Sequence, residues 1–249
     1  MALPRIYYDN RLADAVPAAS STASGFAVAN LLDWRPYTWW KPASLPATIT
    51  VDCGSAKAAD YALIYGHDLF TQGCTVEVRG STDNFAASDV LVATATPSSN
   101  GPLLLSFNAA SYRYWRLRIT GSAAPALAIA AVGSALQLPV GLAQGFDPVG
   151  RDIQGQSNSN EDGQPLGRVI KFERWSQRIN LQRVTWSWLR DTFEPAWRAH
   201  LRSSPFAFGW DVGAYPGDIK LVTAGKKFDS PHYAGSRCDV QIELSGVVE

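Results

Sequence analysis

Hydrophobic and polar positions alternate with a period of two through most of this chain, in short runs closed by Gly, Pro, Ser and Asn clusters. Ile49 and Val51 point one way while Thr50 and Asp52 point the other. Val76 and Val78 alternate with Thr75, Glu77 and Arg79. Trp115, Leu117 and Ile119 alternate with Tyr114, Arg116 and Arg118. Antiparallel sheets covered on one face produce this pattern. No fixed repeat of roughly 20–50 residues runs through it, which sets aside solenoids and propellers.

The pattern breaks after the strand-like run Ala126–Val132, and a boundary is expected near Ser134–Pro139, giving domains 1–135 and 136–249. Residues 144–167 are polar and turn-rich, with Phe146, Val149, Ile153 and Leu166 as the few apolar anchors. Such a segment does not offset its own ordering entropy, about 1–2 kcal/mol per residue for the backbone. It is expected to be mobile alone and to act as an assembly arm when laid on a partner, with a passive linker as the alternative.

Beyond it, Val169–Trp175 and Ile179–Trp188 read as strands. Ile179 and Leu181 share one phase and Val184, Trp186 and Trp188 the other, so a β-bulge is expected near Gln182-Arg183. Phe193, Trp197 and Leu201 recur every four residues and predict a helix from about Thr192 to Arg202. Thr192 would be its N-cap, Pro195 would lie in its first turn, and Arg198 and Arg202 suit its C-terminal end. The cleanest alternation, Arg237–Ser245, predicts the last strand. The fold class is therefore mainly β: an N-terminal jelly-roll-like β-sandwich followed by a second β-rich domain with one α-helix.

Composition narrows the function classes. Lys+Arg and Asp+Glu are each 22, for a formal net charge of +0. Neither half carries an excess, so nucleic-acid binding has no electrostatic footprint. A neutral chain with 9 Trp, 9 Tyr and 10 Phe favours assembly over mutual repulsion. Cys53, Cys74 and Cys238 are too widely spaced for a disulfide framework, and Cys74 and Cys238 fall on inward phases. The charge-free stretch from Ile119 to Phe146 is broken by Gly121, Pro125, Gly133, Pro139 and Gly141, so no membrane insertion is expected. The first residues do not read as a secretory signal, so synthesis in a cytoplasm is expected.

Several motifs then fall into a recognisable order. Gly25-Phe26-Ala27-Val28-Ala29-Asn30-Leu31-Leu32-Asp33 precedes Thr38-Trp39-Trp40. Ile49-Thr50-Val51-Asp52-Cys53-Gly54, Val76-Glu77-Val78-Arg79-Gly80-Ser81-Thr82-Asp83 and Tyr112-Arg113-Tyr114-Trp115-Arg116-Leu117-Arg118-Ile119 follow. Over roughly residues 5–135 this resembles the galactose-binding-like family that includes coagulation factor 5/8 type C and discoidin domains. Some members hold calcium in the early loop. Here Trp34-Arg35 follows Asp33 where the family has Gly-Asp, and a guanidinium works against a cation site. No metal and no cofactor are expected.

The second half resembles, in layout, the ring-forming domains of phage distal tail and baseplate proteins. That resemblance implies a structural virion component of a tail tip, made in the host cytoplasm. Its implied partners are copies of itself in a ring, other tail proteins and a host surface glycan. The alternative is a carbohydrate-binding module of a cell-surface or secreted protein.

No catalytic constellation stands out, so no enzyme is expected. His67, His200 and His232 are scattered, and Glu161, Asp162, Asp211, Asp218 and Asp229 sit in turn-like sequence. Trp34, Arg35 and Tyr37 form the cluster best suited to ligand binding, an aromatic face beside a guanidinium. His67, Asp68 and Phe70 in the next loop would stand beside it. Trp39 and Trp40 read as plugs for the sandwich end; Trp34 and Tyr37 read equally as plugs or as a stacking platform.

Overall fold

The computed structural model describes residues 2–248. Strands β1 (Arg5–Tyr7), β2 (Ala18–Ala19), β3 (Ala47–His67), β4 (Thr75–Ser81), β5 (Val90–Ala95), β6 (Leu103–Thr120), β7 (Leu127–Gly133) and β8 (Leu136–Gln137) come first. Then follow β9 (Arg151–Ser159), β10 (Pro165–Thr185), a helical segment at 186–201, β11 (Phe206–Gly209), β12 (Ile219–Asp229), β13 (His232–Ala234) and β14 (Arg237–Gly246). The chain is mainly β.

It divides into two compact units. The first comprises Arg5–Gln137 together with Asp211–Ile219; the second comprises Ala2–Pro4, Leu138–Trp210 and residues 220–248. Against one cut after residue 135, then, the first unit gains 136–137 and Asp211–Ile219 and gives up Ala2–Pro4.

In the first unit the sheet order is β2-β3-β6-β4-β5, with β7 paired to β3. Strands β3 and β6 are long enough to serve two layers. Their antiparallel register runs from Ala47↔Ile119 to Asp52↔Tyr114, shifts between Asp52 and Lys57, and resumes as far as Ile64↔Leu103. The first stretch pairs with β4, the second with β7. Between the layers lies one core, in which Ile49, Val51, Val76, Val78, Trp115, Leu117 and Ile119 meet Ile64, Leu105, Leu127, Ala130 and Val132. Each fully buried large side chain contributes about 1.5–3 kcal/mol. The alternation read from the sequence thus marks the inner face.

In the second unit the sheet order is β11-β12-β14-β10-β9, with β13 on the other part of β14. Strand β14 buries Cys238, Val240, Ile242 and Leu244, as its alternation requires. The bulge is present: Leu181 pairs with Val240 and Val184 with Cys238, an extra residue on β10. Arg183 takes it up at φ 59.

Two expectations are corrected here. The helical segment begins at Trp186, not Thr192, so Trp186 and Trp188 are not strand residues. Thr185 is its N-cap and accepts the Trp188 N–H. Leu189, Phe193, Ala196, Trp197 and Leu201 form the buried stripe. Pro195 therefore lies inside the segment, between π-helical turns at Leu189–Phe193 and Trp197–Leu201, where its missing N–H breaks the regular ladder.

The polar stretch 144–167 is also not a structureless arm. Its larger part, 151–167, belongs to a hairpin in which β9 pairs with β10 from Arg151↔Trp175 to Ser159↔Pro165. The turn is held by Asn160, whose side-chain oxygen accepts the Gln164 N–H at 2.7 Å, with Gly163 at φ 79. Backbone pairing, which needs no apolar side chains, supplies the order. Phe146 packs on Trp175, Phe208 and Trp210 of its own unit. Val149, Ile153 and Leu166 are exposed.

Candidate functional site

The ligand candidates lie on the loops between the 3-10 helix Val28–Leu32 and β3, and between β3 and β4. Asp33 ends that 3-10 helix, and its carboxylate organises the loop after it. One oxygen accepts the Arg35 N–H at 2.9 Å and the other the Thr38 hydroxyl at 2.8 Å. Trp34, at φ 57, is turned inward and only 6% exposed. It offers no face to a ligand. The next residues alternate outward and inward: Arg35 and Tyr37 are exposed, Trp39 is 42% exposed and Trp40 is fully buried. Trp40 is fixed by paired backbone bonds with Leu127, and the Trp39 carbonyl accepts the Asn30 side-chain amide. Trp39, read from the sequence as a plug, is a surface ring. Two adjacent tryptophans on an extended chain point to opposite sides, and that signal was available.

The second loop lies against the first at Gly66. A Cβ there would stand 3.7 Å from the Pro36 carbonyl oxygen and 2.9 Å from the Ala128 Cβ, and the residue sits at φ 63. Only glycine meets both demands. His67 is buried. Its Nδ1 accepts the Leu69 N–H, and burial lowers its pKa. It is a structural residue, turned away from any ligand. Asp68 is also spent, on the Ala126 N–H and the Gln72 side chain. Phe70 projects at 53% exposure while its N–H, with that of Thr71, is held by the Asn100 side-chain oxygen.

Of the six sequence candidates, then, Arg35, Tyr37 and Phe70 reach the surface, and Trp39 joins them. Asp68 holds the loops, while Trp34 and His67 are inside. The loops are pinned by side-chain hydrogen bonds from Asp33, Asp68, Asn30 and Asn100, so the rings are presented on a fixed base.

Among the described residues, no three His, Cys, Asp or Glu side chains gather as a metal site. Asp33, in the loop where the resembled family holds calcium in some members, has both oxygens engaged. The His200 Nε2–H donates to the Pro205 carbonyl, 2.9 Å away. Asp211 departs from the solvated-turn reading: it is 4% exposed, and its carboxylate accepts the Ala214 N–H. The three cysteines are free thiols. No helix among the described residues is long and apolar enough to cross a membrane.

No family model and no curated protein matches this chain. Carbohydrate-binding modules are among the solved structures similar to about half of it. One is chitosan-binding module 1 of a chitosanase/glucanase from Paenibacillus sp. IK-5, at 20% identity and a TM-score of 0.43, covering 50% of this chain and 98% of that one. Another is CpGH89CBM32-5 from Clostridium perfringens in complex with GalNAc-β-1,3-galactose, at 16% identity and TM-score 0.43, covering 51% and 99%. A Ruminococcus gnavus GH29 fucosidase matches at 15% identity and TM-score 0.44, covering 51% of this chain and 27% of that one.

Proposed function

We propose that this chain is a non-catalytic carbohydrate-binding protein whose first unit holds a glycan on the loops at 33–39 and 67–74. One observation carries the reading. Tyr37, Trp39 and Phe70 expose 63%, 42% and 53% of their surface on loops that are otherwise hydrogen-bonded in place. Rigid aromatic faces stack on the apolar faces of sugar rings at little entropic cost, and Arg35, exposed like Tyr37 two residues on, supplies N–H donors for hydroxyls. Calorimetric titration with an oligosaccharide panel tests it. The wild-type chain should bind at least one glycan, and a Tyr37→Ala/Trp39→Ala/Phe70→Ala variant of unchanged melting temperature should not. A variant that binds as well as the wild type would place the site elsewhere.

A second reading, an assembly component of a virion tail tip or baseplate, is favoured by a different feature. The β9–β10 hairpin leaves Leu166, Val169 and Ile170 exposed at 69%, 62% and 52%, with Phe172 and Ile153 partly so. A two-stranded ribbon bare on both faces is marginal alone and gains stability from a covering surface. Native mass measurement tests this reading. Rings or complexes with tail proteins that vanish when residues 152–173 are replaced by a short Gly-Ser link would support it, and an intact chain that stays monomeric with every tail partner would overturn it.

A further inference from the structure

The outer face of the first unit's sheet carries a charge imbalance on β4 and β6. Arg116, on β6, stands directly opposite Thr50 of β3 and Arg79 of β4. Two like charges facing each other across a ladder destabilise it unless each is compensated. Arg79 is compensated, by Asp89 at 2.6 Å and Glu77 at 2.8 Å. Arg118, one pleat further, shares Glu77 at 3.1 Å. Among the described residues no carboxylate comes within ion-pair distance of Arg116. Its Nε donates to the Thr50 hydroxyl at 2.8 Å, and among the described residues its two terminal nitrogens make no hydrogen bond.

The same guanidinium is roofed. The Phe85 ring centroid lies 3.6 Å from its central carbon. Phe85 and its predecessor Asn84 both hold left-handed backbone, at φ 65 and φ 59, a conformation that bulky side chains avoid. The loop keeps it because the Asp83 carboxylate accepts the N–H groups of Ala86, Ala87 and Ser88, and the Ser81 hydroxyl oxygen accepts those of Asp83 and Phe85. Burial draws the Arg116 pKa below the usual arginine value; the Asp89 carboxylate opposes that and the Arg79 cation adds to it. Stacking under a ring leaves the edge of a guanidinium free, and that edge forms paired hydrogen bonds with a carboxylate.

We infer that Arg116, under Phe85 and beside Arg79, is a second binding site on this unit, taking the carboxylate of an acidic saccharide. The carboxylate would supply the negative charge the face lacks, with both oxygens on the Arg116 terminal nitrogens and the sugar ring along the exposed edge of Phe85. The saccharide part rests on the carbohydrate reading above; the carboxylate part rests on the arginine geometry alone.

Trigalacturonate and its methyl-esterified form, which keeps the sugar and loses the charge, test this by calorimetry on the full chain. The acid should bind at least tenfold more tightly than the ester, and added salt should weaken it. Arg116→Gln should lose that tenfold preference, Arg116→Lys should recover only part of it because the paired fork is gone, and Phe85→Leu should weaken acid binding several-fold. Melting temperatures and neutral-glycan binding at Tyr37, Trp39 and Phe70 should be unchanged in all three, which separates failure of this site from failure of the aromatic one. Equal binding of acid and ester, or full acid binding by Arg116→Gln, would overturn the inference. So would sulfate displacing trigalacturonate at equal concentration, because that marks a bare anion site.

Discussion

The Asp68 carboxylate accepts the backbone N–H of Ala126 at 2.7 Å, joining the loop after β3 to the one before β7. Its second oxygen takes the Gln72 side chain at 2.9 Å. Asp68→Ala strands the Ala126 N–H and frees the loop that bears Phe70. The expected loss is about 1–3 kcal/mol in chemical denaturation, together with weaker glycan binding. Unchanged stability and affinity would show that Asp68 does not hold these loops.

The two tryptophans of the Thr38-Trp39-Trp40 run should behave as opposites. Trp40→Ala empties a fully buried site and should cost about 3–5 kcal/mol. Trp39→Ala removes a surface ring and should stay within about 0.5 kcal/mol of wild type while weakening glycan binding. Equal effects on stability would contradict the assignment of inside and outside.

The Asp52 carboxylate is held down to a pKa of about 2, first by the paired hydrogen bonds from Arg113 and then by the Gly54 N–H. A carboxylate depressed on folding lends its stability above the unfolded value, about 3.9, and loses it as pH falls through the folded one. A carbon-detected NMR titration should therefore place the Asp52 midpoint near 2 in the wild type and well above it in Arg113→Gln. A common midpoint would remove the pairing from the account.

His67 works in the same direction near neutrality. Its pKa is lowered by burial, so the unfolded chain binds its proton first as pH falls. Stability should drop below about pH 6.5, and the part of that drop due to His67 should be missing in His67→Gln. Denaturant midpoints at several pH values check this, and identical profiles would refute it.

A fragment ending at Gln137 retains the pairing of β8 with Arg5 and Ile6, which a fragment ending at residue 135 loses. Both keep the sandwich core. The longer one should fold on its own by circular dichroism and proton NMR, with the higher melting temperature. An unfolded longer fragment would show that Asp211–Ile219 is required.

Much of this architecture could be read from residue order. Alternation at Ile49–Asp52, Thr75–Arg79, Tyr114–Ile119 and Arg237–Ser245 marked strands and their inner faces, because a pleated strand has a strict period of two. The phase slip after Leu181 marked the bulge for the same reason. Cys74 and Cys238 were placed inside by phase alone. What the sequence could not show was contact between distant residues. Trp34 is inside and Trp39 outside because Asp33 turns the loop through the Arg35 N–H and the Thr38 hydroxyl. The β9–β10 hairpin is ordered through backbone groups that every residue carries, so a polar composition concealed it. Arg116 looked like any outward residue of an alternating strand. Only the tertiary structure sets it against Arg79, folds Phe85 over it and leaves it, among the described residues, with no ion-paired carboxylate.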